Sequence, residues 1–273
     1  MTSFDLNALT RALKIIARRA GQIELDFYAK GTDVMHKNDG SPVTAADEAA
    51  EAMITKALLE LTPSLPIVAE EAVAANSIPD ISGGNFWLVD PLDGTKEFIK
   101  RTGDFTVNIA LMHNFKPILG VIYAPVFDEL YVGHGAGTAT VSLQGAPDTP
   151  IHMRTPDLEK GLTVISSRSH AGEDGLGSTA VRDYLSDIKI ASFAVRGSSL
   201  KFGHLARGLA DFYPRLAPTS EWDTAAGEAI MNAAGGVITK LDGSPMIYGK
   251  TEEKFLNPKF IAHHRDLKLP HQK

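Results

Sequence analysis

The chain has 273 residues, enough for one large unit or two moderate ones at a working domain size of about 150. It contains no cysteine, which excludes thiol nucleophiles, Zn–Cys sites, Fe–S clusters and disulfide scaffolds. A net charge of −6 without any basic run argues against nucleic-acid binding, and no apolar stretch nears the roughly 20 residues of a membrane span.

The first predicted element is an amphipathic helix. Ser3 is its expected cap, Leu6, Leu9, Leu13, Ile16, Ala20, Ile23 and Phe27 recur at steps of three and four, and Gly31 stands past its end. Asp5, Arg11, Lys14, Arg18 and Arg19 interrupt this stretch, so it lacks the apolar core of a secretory signal, and a soluble cytoplasmic protein is expected. A polar loop, 36–42, leads to a second helix through Met53, Ile54, Ala57, Leu58 and Leu61, with Thr44-x-x-Asp47 as its capping box.

The period then changes to two. Strands are expected at 66–69, ending on Glu70-Glu71, and at 86–90 and 105–112. Residues 118–124 and 130–132 read as a hairpin, and 133–142 as a continuation of the sheet. Gly133-His134-Gly135-Ala136-Gly137 lacks the spacing and the following helix of a phosphate loop, so it reads as a tight strand connection. From about residue 150 strands and helices alternate: strands 163–167 and 190–195, helix 198–209, strand 211–214, helix 222–234, and a last strand at 237–241. Pro147, Asp148, Pro150 and Pro156 mark a soft boundary that separates residues 1–150 from 151–273. The histidines show no metal-ligand spacing, and His263-His264 is read as solvated.

The informative stretch is Trp87-Leu88-Val89-Asp90-Pro91-Leu92-Asp93-Gly94-Thr95-Lys96-Glu97-Phe98. An apolar strand delivers Asp90 and Asp93 at its C-terminal end, where ligands bind in open α/β sheets. Pro91 stiffens the turn between them, and Gly94-Thr95 offers backbone N–H groups as a phosphate cradle. A plain Pro-Asp-Gly turn explains the stretch equally well by itself. Glu70, Glu71 and Asp223, at strand ends and helix starts, add oxygen donors of the kind Mg²⁺ requires. Spacing alone thus reaches a Mg²⁺ phosphoester enzyme as one reading.

Three motifs in order, Ala69-Glu70-Glu71, then Trp87-x-Val89-Asp90-Pro91-Leu92-Asp93-Gly94-Thr95, then Trp222-Asp223-x-Ala225-Ala226-Gly227, resemble the lithium-sensitive Mg²⁺-dependent phosphatases. That superfamily includes inositol monophosphatase, fructose-1,6-bisphosphatase and 3′(2′),5′-bisphosphate nucleotidase. The resemblance implies an α/β fold of alternating helix and sheet layers. An α+β part, 1–150, would carry most metal ligands, and an α/β part, 151–273, the substrate contacts and Asp223. It further implies that Glu70, Asp90 and the backbone carbonyl of Leu92 hold a first Mg²⁺, and Asp90, Asp93 and Asp223 a second. Glu70 would approach a third, weaker ion, giving two to three Mg²⁺ and inhibition by Li⁺. Thr95 paired with Asp47 would activate the attacking water, and the Asp47 carboxylate has two oxygens, enough for both this role and the capping box.

Gly94-Thr95-Lys96-Glu97-Phe98, Gly197-Ser198-Ser199-Leu200-Lys201-Phe202, Tyr213-Pro214-Arg215 and Lys254-Phe255-Leu256-Asn257-Pro258 resemble the bacterial 3′(2′),5′-bisphosphate nucleotidase branch. The inositol branch usually has an acidic residue where this chain has Arg215, whose planar fork suits a second phosphate. By the same resemblance Lys201 and His170 add charge, Ser198 a hydrogen bond, and Gly94 and Thr95 the cradle. The bland alternative for Arg215 is a surface salt bridge. The implied reaction converts adenosine 3′,5′-bisphosphate to AMP and phosphate. An inositol-phosphate or broad sugar-phosphate phosphatase is the alternative within the enzyme class, and a catalytically silent metabolite-binding protein the alternative outside it. The expected partner is a small phosphoester, with a homodimer and peripheral association at the inner membrane left open.

Overall fold

The computed structural model describes residues 4–31, 34–36, 42–167 and 179–268. Helix α1 (Leu6–Lys30) is capped by Asp5, whose Oδ1 accepts from the Ala8 N–H at 2.9 Å. Ser3, the expected cap, lies outside the described residues. Gly31, at φ 81°, ends the helix as its position suggested. A short hairpin, β1 (Val34–His36) and β2 (Pro42–Thr44), leads into α2 (Ala45–Leu61).

A seven-stranded sheet follows: β3 (Ile67–Ala69), β4 (Phe86–Asp93), β5 (Thr106–His113), β6 (Lys116–Ala124), β7 (Glu129–Gly133), β8 (Thr140–Leu143) and β9 (Thr149–Pro150), adjacent in that order. Two short helices interrupt it, α3 (Glu70–Ala74) after β3 and α4 (Thr95–Ile99) after β4. The second sheet has the order β11-β10-β12-β14-β13, from β10 (Leu162–Ser167), β11 (Ile190–Arg196), β12 (Phe212–Arg215), β13 (Gly236–Lys240) and β14 (Phe260–His264). Helices α5 (Thr179–Tyr184), α6 (Leu200–Ala206) and α7 (Glu221–Ala233) complete the chain.

Alternation along the large sheet divides the core into layers. Trp87, Val89, Val107, Ile109 and Leu111 face α1 and α2, meeting Leu13, Ile16, Ile54 and Leu58. Phe86, Leu88, Ala110 and Met112 face the other way, onto Phe202, Trp222 and Ile230 of α6 and α7, which also pack on the second sheet. Val181 and Tyr184 of α5 cover the outer face of that sheet over Val164, Phe212 and Ile261. The layers therefore alternate helix, sheet, helix, sheet, helix, as expected. Gly120 lets α7 lie directly on β6, since a Cβ there would fall 2.2 Å from the Ala226 carbonyl oxygen.

Several local expectations need correction. Glu70 and Glu71 open α3 instead of ending a strand; Glu51 of α2 accepts from the Glu71 and Ala72 N–H groups at 2.7 and 2.8 Å and so starts that helix. The 133–142 stretch is mostly connection, with strand only from Thr140 onward. The helix expected at 198–209 is shorter, because Ser198 sits at φ 45° and leaves the helical region. The strand at 237–241 is not the last: β14 inserts between β12 and β13, and His263, read as solvated, is 4 % exposed. Its unbroken apolar Phe260-Ile261-Ala262 run is that of a strand covered on both faces.

Candidate functional site

The two central carboxylates owe their aim to a β-bulge. Asp90 pairs with Asn108 and Asp93 with Thr106, so Pro91 and Leu92 together stand opposite the single residue Val107. Without the extra residue, positions three apart would point to opposite faces; with it, both aspartates share the face looking toward α7. Leu92 turns instead into a small apolar cluster with Ala46, Phe98 and Phe105. The Leu92 N–H donates to Asp90 Oδ1 at 3.1 Å, which closes the turn around Pro91. Gly94 then takes φ 100° with Asp104, Phe105 and Ser198 all within 3.3 Å of any added Cβ, a position only glycine fills without strain.

Asp47 divides its two oxygens as anticipated. Oδ2 accepts from the Thr44 N–H at 2.8 Å and the Thr44 hydroxyl at 2.7 Å, and Oδ1 accepts from the Thr95 hydroxyl at 3.2 Å. The same threonine hydroxyl lies 3.4 Å from the Leu92 carbonyl. Asp223 comes from the other side, in the first turn of α7, where its Oδ2 accepts from the Ser220 N–H at 2.9 Å. Burial, then the nearby carboxylates of Asp93 and Glu70, push the Asp223 carboxyl up to about 8, against the pull of Ser220 and Arg215.

Among the described residues, no three His, Asp or Glu side chains form a ready-made cage for an ion. The convergence is a looser one, recorded in the mutual repulsion of Asp223, Asp93 and Glu70. All donors are oxygens, and their like charges are forced together in a largely buried place. That donor set fits a hard divalent cation, which would relieve the repulsion.

The cleft beside this cluster is lined by Asp93, Gly94, Ser198, Lys201, Arg215 and Asp223 among others. Lys201 is 4 % exposed; its ammonium donates to the Ser198 carbonyl and sits 5.2 Å from the Tyr213 ring centroid. Arg215 donates to Ser167 Oγ at 2.8 Å and to the Pro218 carbonyl at 3.1 Å, while its Nε is buried without a partner. Among the described residues neither cation has a carboxylate within 4.0 Å, so the surface salt bridge that would have explained Arg215 is not what it makes. His170 lies outside the described residues. The widest depression of the surface, between α2 and α3 and lined by Glu48, Glu51, Lys56 and Glu71, includes none of the expected site residues.

The sequence matches the inositol monophosphatase family over residues 1–268. The chain belongs to that family. The family's layered fold recurs in the crystal structure of CysQ from Bacteroides thetaiotaomicron, a bacterial member, with a TM-score of 0.76 and 34% identity over 95% of this chain and 98% of that one. The 3′(2′),5′-bisphosphate nucleotidase CysQ of Escherichia coli K12 is 44% identical over 247 residues, 90% of this chain and 95% of its own. The enzyme of the same name from Haemophilus influenzae is 33% identical over 96% of this chain and 94% of its own.

Within this family site, three residues escaped the sequence reading. Glu97 is 8 % exposed in the cleft wall, its carboxyl raised chiefly by burial and also by Asp93. Asn108 and Ser199 are buried against Asp93. The signal for Asn108 was a polar residue on the inward face of an otherwise apolar strand. Ser199 was hidden beside Ser198, which attracted the expected role.

Proposed function

We propose that the chain is a Mg²⁺-dependent phosphomonoesterase that removes the 3′-phosphate of adenosine 3′,5′-bisphosphate, giving AMP and phosphate. The observation that carries this reading is the pairing, in one cleft, of an acidic end with two buried or half-buried cations that lack carboxylate partners. The acidic end suits the reacting phosphate with its ions, and Lys201 and Arg215 suit a second phosphate on the same molecule. Relatives at 44% identity carry the corresponding name.

Glu70, Asp90, Asp93, Asp223 and the Leu92 carbonyl would hold two to three Mg²⁺, with Li⁺ as an inhibitor. Bound there, the ions supply Lewis acidity to a water and neutralise charge on the ester oxygens. The protein's own part is positional and acid–base. Thr95 donates to Asp47 Oδ1 and keeps its lone pairs free to accept from a water; a proton taken from that water passes to Asp47 as the threonine releases its own. Thr44 holds the other Asp47 oxygen, which fixes the carboxylate against rotation. A metal-bearing part, 1–150, and a substrate-bearing part, 151–273, describe how the roles divide between the two sheets.

The test is a specificity ratio, kcat/KM on adenosine 3′,5′-bisphosphate over that on inositol monophosphate, for the wild type and Arg215→Glu at fixed Mg²⁺. A charged hydrogen bond to phosphate contributes roughly 1.5–3 kcal/mol, so the ratio should fall about 10- to 150-fold. A wild-type ratio below one, or a ratio that Arg215→Glu leaves in place, refutes the nucleotidase reading and favours the inositol phosphatase.

A further inference from the structure

Ser199 is 2 % exposed, at the start of α6. Its hydroxyl oxygen lies 2.6 Å from Asp93 Oδ2, 2.8 Å from the Asp223 backbone carbonyl and 2.9 Å from Asn108 Nδ2. A hydroxyl has one proton to give. The carboxylate is both the nearer acceptor and the charged one, so the proton belongs to Asp93. Asn108 donates to the serine oxygen and reaches the same Asp93 oxygen at 3.4 Å.

Three elements meet at this one atom. Asp93 and Asn108 stand on neighbouring strands of the large sheet, Ser199 opens α6, and the Asp223 carbonyl belongs to the first turn of α7. Two carboxylates, Asp93 and Asp223, are therefore held relative to each other through a neutral side chain. With Oδ2 of Asp93 engaged by Ser199 and Asn108, its carboxylate is fixed in rotation. Without the serine, like charge favours turning Asp93 away from Asp223.

We infer that Ser199 is a positioning residue, which fixes the Asp93 carboxylate in register with Asp223 so that both face one divalent cation. The inference rests on the reading of Asp93 and Asp223 as metal ligands. Hydrogen-bond partners behind metal ligands are commonly worth 10- to 100-fold in affinity. Because Ser199 also lines the cleft, direct contact with substrate is the competing role.

The experiment measures Mn²⁺ binding to the full chain by electron paramagnetic resonance of the free ion, without substrate or phosphate. The proteins are the wild type, Ser199→Ala, Ser199→Thr and Asn108→Ala, each also melted in EDTA. Ser199→Ala should bind Mn²⁺ about 10-fold or more weakly with a melting curve close to wild type. Ser199→Thr, which keeps the hydroxyl, should recover most of that loss, and Asn108→Ala should weaken binding about 3-fold or more. Unchanged Mn²⁺ affinity in folded Ser199→Ala overturns the inference. So does a raised substrate KM at unchanged Mn²⁺ affinity, which assigns the serine to the substrate. If Ser199→Ala does not fold, Asn108→Ala decides: unchanged affinity there overturns the inference as well. A wild type that binds no Mn²⁺ removes the metal reading itself, and the inference with it.

Discussion

Glu24 gives the sharpest test of the physical reasoning, because it owes nothing to a bound ion. It lies in α1, fully buried, and neither carboxyl oxygen has a hydrogen-bond partner. Burial, and then the charge of Asp47, push its carboxyl well above the usual range. The folded protein therefore keeps Glu24 protonated at neutral pH, while the unfolded chain ionises it at the ordinary value near 4.3. The sign follows: this group's contribution to stability is fully present below about pH 4.3 and is lost as pH rises toward its folded value. Glu24→Met replaces the carboxyl with an apolar group of similar length and helix propensity. Removing an unpaired buried polar group should stabilise by about 1–3 kcal/mol near pH 4.5, where linkage is small. The gain should then widen by up to about 1.4 kcal/mol per pH unit while only the unfolded chain ionises. For a chain of this length 1 kcal/mol shifts Tm by roughly 2 °C. Urea and thermal denaturation at pH 5, 6, 7 and 8 in EDTA would show it. A variant less stable than wild type, or a difference that does not grow with pH, refutes the argument.

Three further outcomes are expected. Asp90→Asn should abolish Mg²⁺-dependent phosphate release while leaving circular dichroism and Tm near wild type, since the carboxylate is a site group and not a packing one. Thr95→Ala should lower kcat more than it raises KM in steady-state assays, because the hydroxyl bonded to Asp47 acts on water chiefly in the transition state. Gly120→Ala should destabilise by about 1–3 kcal/mol or more in urea titration, as its Cβ would fall 2.2 Å from the Ala226 oxygen and lift α7 off the sheet.

What the sequence disclosed was whatever local chemistry determines. The 3.6-residue pattern of α1, the Thr44–Asp47 capping box and the strand run into Asp90 are all written within a dozen residues. The structure has each of them. The site residues were found in the same way, as motifs, and the structure brings Asp47 to Thr95 and Asp223 near Asp93 and Glu70. What escaped depends on contacts between distant segments. Helix α3 begins where it does because Glu51, some twenty residues earlier, accepts its first N–H groups. Strand β14 is held between β12 and β13, so its histidine is covered by neighbours that no local pattern reveals. The bulge at Asp90–Asp93 was visible only as a proline, and its effect on which face the aspartates share needed the β5 register.

The same bulge explains why the site must be assembled from two sheets. One strand end can place two carboxylates on a face, but adding a third from the same strand would only increase repulsion without enclosing anything. Asp223 arrives instead on α7, whose backbone rests against β6 at Gly120 and whose start is tied down by Ser220. The cations come from the far side of the seam, Lys201 on α6 and Arg215 on β12, so attraction and repulsion are separated along the cleft. The polar joints across the seam, Asp104 to the Gly197 N–H at 2.9 Å and Ser199 to Asp93 at 2.6 Å, are then what sets the spacing of opposite charge. A phosphoester bearing a second phosphate is a ligand that bridges such a seam, with one anion at each end.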